Sequence, residues 1–179
     1  MPDEGSTFLS DRAGLFKILM LTGAVIGVLS VFMSWFSIDY VFFRFDYAGY
    51  DFYLKSFDYP DNYPGIGYYA YMPFIVLGSS ILAAVFSVLS FFTRYEKKGA
   101  ILATVLGMVM LVSTLLYVFY PESNIVISNS SAVIINEMRL LDHLGGGVYS
   151  AFIACMFLIL GGILILVFRG RSGLDPKAE

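Results

Sequence analysis

The residues best equipped for chemistry are few and scattered. Asp142 and His143 stand side by side with Glu137 just upstream, the one grouping that resembles acid–base or zinc chemistry. A lone histidine, however, offers one ligand where zinc needs three or four. Asp58, Asp61 and Asn62 are spaced as oxygen ligands to calcium can be. Pro60 and Pro64 explain the same stretch as a turn. No serine lies in a Gly-x-Ser-x-Gly elbow. The single cysteine, Cys155, sits in an apolar run and reads as a small buried hydrophobe. One cysteine excludes an internal disulfide and a thiolate metal cluster. The expectation is a protein without catalytic or metal-binding residues and without a cofactor, and so not an enzyme.

Whatever these residues do, elements built for lipid must position them. Hydrophobic residues make up 58% of the 179 residues and charged residues 14%. Typical globular chains hold about 45–50% and about 25%. Basic residues are scarce, so nucleic acid is not an expected partner. Four runs carry no charge in their interiors, each long enough to cross roughly 30 Å of hydrocarbon. They predict spans at about 15–37, 69–92, 100–120 and 148–168 within one membrane domain, 1–179. The first run is too long for a cleaved signal peptide, and no Ala-x-Ala-like site follows it.

Orientation follows from the cations. Arg12, Lys17, Arg94, Lys97, Lys98, Arg169, Arg171 and Lys177 fall on one side, eight of eleven Lys and Arg, whereas only Arg44, Lys55 and Arg139 fall on the other. The positive-inside rule makes both termini cytoplasmic and puts the loops at about 38–68 and 121–147 outside a cell membrane crossed four times. The absence of charge within the spans disfavours pumps and secondary transporters, whose pathways use intramembrane ionisable groups.

The segment Trp35–Tyr71 is the chain's densest chemistry of another kind, with sixteen aromatic residues, five aspartates and two cations. Alternation from Val41 to Tyr47 predicts a strand, Ala48-Gly49 a turn, and Tyr50–Leu54 a returning strand. In the second loop, Asn124–Ser128 and Ala132–Ile135 are short strand candidates around Asn129-Ser130-Ser131, which is also a glycosylation sequon at Asn129. Residues Ile134 to Leu144 have an amphipathic helix as their other reading. A lone hairpin is marginal in water, so the second loop is expected to add a strand or a cover to the first. The fold class is therefore an all-α membrane protein: a four-helix transmembrane bundle with a small extracellular antiparallel sheet from loops 1 and 2. Small residues at four-residue spacing, Gly23 with Gly27, Ser79 with Ala83, and Ala103 with Gly107, are expected to pack helices closely.

Four spans, a long first outer loop that begins at Trp35 and carries strand pattern, then Gly49-Tyr50-Asp51, together resemble the claudin-like four-span proteins. The layout is also similar to uncharacterised prokaryotic four-span proteins with an aromatic motif ending the first helix and Gly-aromatic-Asp following. Claudins carry two cysteines in the first loop, and this chain has none in either loop. The resemblance implies a small outer sheet that mediates adhesion or assembly. The expected partners, besides the lipid bilayer, are a second copy or another membrane or envelope protein. Aromatic side chains dominate interface energetics, so Trp35, Tyr40, Phe43, Phe45, Tyr47, Tyr50, Phe52 and Tyr53 are the candidate partner-binding residues. The alternative is an accessory subunit of a transport complex or a small oligomeric channel.

Overall fold

Lipid offers the backbone no hydrogen bonds, so a spanning segment must satisfy every N–H and C=O within its own helix or barrel. The computed structural model describes residues 4–39, 44–51, 71–92, 94–119, 123–127, 133–138 and 140–172, with side chains for 13–37, 46–51, 71–92, 94–119 and 141–168. In order, the described elements are α1 (Glu4–Phe32), β1 (Ser34–Asp39), β2 (Arg44–Ala48), α2 (Met72–Leu89), α3 (Glu96–Val118), β3 (Ser123–Ile127), β4 (Val133–Met138), a 3-10 turn (Leu140–His143) and α4 (Gly146–Ser172). Four stretches are long and apolar enough to cross a bilayer: Ala13–Phe32, Met72–Leu89, Glu96–Val118 and Gly146–Phe168. The chain is an integral membrane protein built on a four-helix bundle.

Each helix packs on two neighbours, α1 on α2 and α4, and α3 on the same pair, which closes a ring. Lys17 meets Glu96 at one end of the ring. Trp35 lies beside Tyr117 at the other. Neighbouring helices therefore run antiparallel, with the hairpins at one end and the short α2–α3 turn at the other.

The packing inverts that of a soluble bundle. Large apolar side chains such as Ile18, Val25, Leu82, Val85, Val105, Val112, Ile153 and Leu160 face outward to lipid. Ala24, Ser80, Ala83, Ala103, Ala151 and Ala154 line the buried faces. Lipid tails are as apolar as leucine, so nothing squeezes the helices together; close van der Waals contact must hold them. The small-residue rows supply that contact within the bundle. A Cβ on Gly23 would lie 2.8 Å from Cβ of Phe157 on α4, and one on Gly107 2.9 Å from Cβ of Leu158. A Cβ on Gly27 would strike the Ser80 hydroxyl and lie 2.7 Å from Cε of Met110. Ser79, Ala83 and Ala103 are buried with them.

Buried hydroxyls are mostly satisfied one turn back on their own helix. Ser80 donates to the carbonyl of Val76 at 2.6 Å, Ser113 to Val109 at 2.9 Å and Thr114 to Met110 at 2.8 Å. Such bonds quench the polarity of interior Ser and Thr within their own helices; Ser80 also reaches Sδ of Met110 on α3 at 3.4 Å. The hydroxyl of Ser87 is the exception in the spans: it is buried and has no partner among the described residues.

Each loop forms an antiparallel hairpin, β1 with β2 and β3 with β4. Among the described residues the two are separate two-stranded sheets, and loop 2 reaches the first hairpin through an isolated bridge from Phe36 to Leu144, just past the 3-10 turn. The second hairpin falls where the strand candidates were, and β4 extends to Met138 in place of the amphipathic helix. The first is shifted. Strand β1 starts at Ser34, immediately after α1 ends at Phe32, and β2 is only Arg44–Ala48. Residues 40–43, between the strands, lie outside the described residues, and Gly49-Tyr50 follows the base of the hairpin, after the Ser34–Ala48 pair, instead of turning it. Residues 52–70 lie outside the described residues, and with them most of the Tyr50–Leu54 strand candidate and the Asp58, Asp61, Asn62 group.

Two glycines make a matched test. A Cβ on Gly78 meets nothing within 4 Å. Gly78→Ala should leave the detergent melting midpoint unchanged or slightly raised, while Gly27→Ala should lower stability by about 1–3 kcal/mol through overpacking. Ser87→Ala should be neutral or stabilising in the same melt, because it removes a buried hydroxyl that makes no bond.

Candidate functional site

The local sequence Ser34-Trp35-Phe36 is peculiar because both aromatic residues are fully buried. Side chains on a regular strand alternate between faces, so two consecutive buried residues need a break in the pattern. The break is a β-bulge: Ser34 pairs with Ala48 and Phe36 with Tyr47, which leaves Trp35 as the extra residue. A bulge re-aims the side chain it carries. Here it turns the indole down onto the helix ends while Phe36 stays under the hairpin.

Trp35 is touched by α1, α3, the start of α4 and the chain just after β2. Its indole N–H donates to the Ser30 carbonyl of α1 at 2.8 Å. Its ring meets Tyr117 of α3 edge-on, with centroids 5.0 Å apart and planes at 86°. Its carbonyl accepts from the Tyr117 hydroxyl at 3.2 Å and from the Gly145 N–H at 3.0 Å. Both lone pairs of that oxygen are thereby used. Glycines complete the enclosure by having no side chain. A Cβ on Gly49 would lie 3.0 Å from the indole Cδ1 and 2.8 Å from Cβ of Pro73 at the start of α2. One on Gly147, at the start of α4, would lie 2.5 Å from the same Cδ1 and 2.6 Å from the Ser30 carbonyl. A Cβ on Gly145 would collide with the Ser34 carbonyl. Gly145 and Gly147 are thus a docking face for β1 and the indole, whereas a Cβ on exposed Gly146 would meet only Met33 at an ordinary 3.5 Å.

Phe36 forms a second layer. It stacks at a tilt on Tyr47 at 6.3 Å and meets the His143 ring edge-on at 5.5 Å. With the Phe36–Leu144 bridge, this makes the 3-10 turn of loop 2 a cover over β1.

The candidate partner-binding residues therefore separate. Trp35 is a correction: it is buried and bonded within its own chain, so it presents no surface to a partner. Tyr47 is half-buried against Phe36. Tyr50 is exposed and leans on exposed Phe32 of α1 at 5.9 Å. Tyr40, Phe43, Phe52 and Tyr53, the side chain of Phe45, and the sequon at Asn129 lie outside the described residues. Asp142 is exposed and His143 packs on Phe36, while the side chain of Glu137 is not among those described. Among the described residues no three of His, Cys, Asp and Glu gather as metal ligands would.

The opposite end holds a group that sequence reasoning missed. Lys17 of α1 pairs with Glu96, the first residue of α3, at 2.8 Å, with both side chains largely buried. The lysine nitrogen also stands 6.0 Å from the Phe91 ring centroid. From sequence alone Lys17 reads as a residue that snorkels to headgroups. Nothing local to either residue signals that the other is near. No known protein family, no curated protein and no solved structure matches the chain.

The hub makes two measurable statements. Trp35→Ala should cost about 3–5 kcal/mol, as large aromatic truncations in a packed site do. Tyr117→Phe should cost about 0.5–1.5 kcal/mol, since it deletes one hydrogen bond and keeps the ring contact. Trp35 is the only tryptophan, so its emission reports on the hub alone. It should be blue-shifted in the folded protein and remain so in Tyr117→Phe, while circular dichroism follows the melt of both variants.

Proposed function

We propose that this membrane protein is a non-enzymatic assembly or adhesion module of the cell membrane, its hairpins outside and both termini cytoplasmic. One observation carries the reading: the aromatic loop is fastened to the bundle at its start by Trp35, at Gly49 by contact with the indole, and at its end by Pro73. Fixing the described ends of a binding segment on a buried hub lowers the entropy cost of binding. The aromatic density of the segment and the resemblance to claudin-like proteins support the same reading. The partner is a second copy of the chain or another envelope protein, and Tyr50 is the exposed one among the described candidate partner-binding aromatics.

Two experiments test this. Cross-linking in native membranes, followed by purification in mild detergent, should yield an oligomer or a stoichiometric partner. Tyr50→Ala should weaken that association by about 1 kcal/mol or more with the Trp35 emission unchanged. Monomers alone, without a co-purifying protein, would reject the proposal. For orientation, a membrane-impermeant maleimide applied to intact cells should label Ser130→Cys but not Ala178→Cys. The native Cys155 is buried and gives little background. The reverse labelling pattern would invert the topology.

A further inference from the structure

The buried ion pair at the turn end changes the charge of the surface beside it. The turn and first helical residues from Arg94 to Lys98 contain three cations and one carboxylate, Glu96. That carboxylate is held inward on Lys17, with its side chain only 15% exposed. Arg94, Lys97 and Lys98 are exposed, and among the described residues none of them has an ion-pair partner. They sit at the end of two spanning helices, level with exposed Phe91, Phe92 and Tyr95. Arg94 lies over the Tyr95 ring at 5.7 Å, so its charge stays at the level of the aromatic side chains. Lys97 and Lys98 also occupy the first turn of α3, where the helix dipole adds positive potential of its own. A basic surface at the depth of the headgroups, with its one acid withdrawn, calls for a counterion that the described residues do not provide.

We propose that Arg94, Lys97 and Lys98 form a docking surface for anionic phospholipid headgroups in the adjacent leaflet, and that the Lys17–Glu96 pair creates it by taking the carboxylate out of the turn. Aromatic side chains favour the same interfacial depth, which places the three cations where lipid phosphates lie. The proposal requires only that the chain spans a bilayer and holds in either orientation. It differs from the orienting effect of cations in making a local claim: these three residues select lipid, and a residue that is not among them, Lys17, controls how well.

The full-length protein reconstituted in phosphatidylcholine vesicles, with traces of spin-labelled phosphatidylglycerol or spin-labelled phosphatidylcholine, gives the readout. Electron paramagnetic resonance measures the motionally restricted fraction of each probe. The parent should restrict phosphatidylglycerol preferentially, and the preference should shrink at high salt because screening shortens the reach of the charges. Each Arg or Lys near an anionic headgroup is worth up to about a fivefold preference. The triple variant Arg94→Gln, Lys97→Gln, Lys98→Gln should therefore approach no preference. Lys17→Met, which releases Glu96 to neutralise a neighbouring lysine, should lose part of it. All three cations of the triple variant are exposed, and an unchanged circular dichroism melt verifies the fold of both variants. A parent without preference overturns the proposal, as does a triple variant or a Lys17→Met variant that keeps the parental value. So does an Arg169→Gln, Arg171→Gln variant that loses as much as the triple variant, because diffuse charge would then suffice.

Discussion

The bond from the Trp35 indole to the Ser30 carbonyl is the interaction on which the hairpin end depends. It ties the first loop residues back onto the helix that has just ended, and so fixes where α1 stops and β1 begins. Once the indole lies across the helix ends, the remaining contacts have little freedom. Tyr117 must approach edge-on, the α4 start must be glycine, and the carbonyl of Trp35 must accept from two elements. A buried backbone oxygen with both lone pairs used, next to a satisfied indole, incurs no desolvation penalty. A polar hub can therefore sit at the membrane boundary without weakening the apolar bundle below it.

The two ends of the bundle are secured by different physics. At the hairpin end, shape and hydrogen bonds join α1, α3 and the start of α4 around one side chain. At the turn end, the helices are held by an aromatic pair, Phe16 with Phe168 at 5.3 Å, a tight α2–α3 connection and a single ion pair. Between them the helices rely on absent side chains. Gly161 of α4 lies where a Cβ would meet Met20 Cγ at 2.7 Å, and Gly162 where one would strike the Thr104 hydroxyl. Small residues thus set the spacing of the ring along its length, while a few large ones such as Met20, Met110 and Leu158 fill its interior and most face the lipid.

Much of this was legible in the sequence, because lipid imposes a simple rule. Uncharged runs of sufficient length can only be helices there, so four spans follow directly from composition. Strand pattern in the second loop was legible for the same reason that hairpins are: alternation around polar turn residues. The first loop misled, since its alternation from Val41 to Tyr47 hid a strand that starts earlier. The bulge at Trp35 places two neighbouring aromatics inside, a pattern that strict alternation cannot describe. Trp35 looked like a contact residue because aromatic type alone does not distinguish a surface from a hub. The Lys17–Glu96 pair was invisible, because it depends on which helices are neighbours in space. The glycines at the start of α4 are visible in the sequence, but the purpose of Gly145 and Gly147 emerges only when β1 and the indole are placed against them.

The bulge has one more consequence. Below it, the chain answers to the helix ends; beyond it, the hairpin follows its own ladder, held at its base by Ser34 with Ala48 and by Phe36 with Leu144. The phase of the one is thereby uncoupled from the phase of the other. Residues gained or lost between β1 and β2 would change the chain beyond the bulge without rotating Trp35 out of its socket. Loop closure grows more costly only slowly with length. Such a mount tolerates insertions and deletions at the tip, so the tip can diversify while the membrane-embedded part of the protein stays constant.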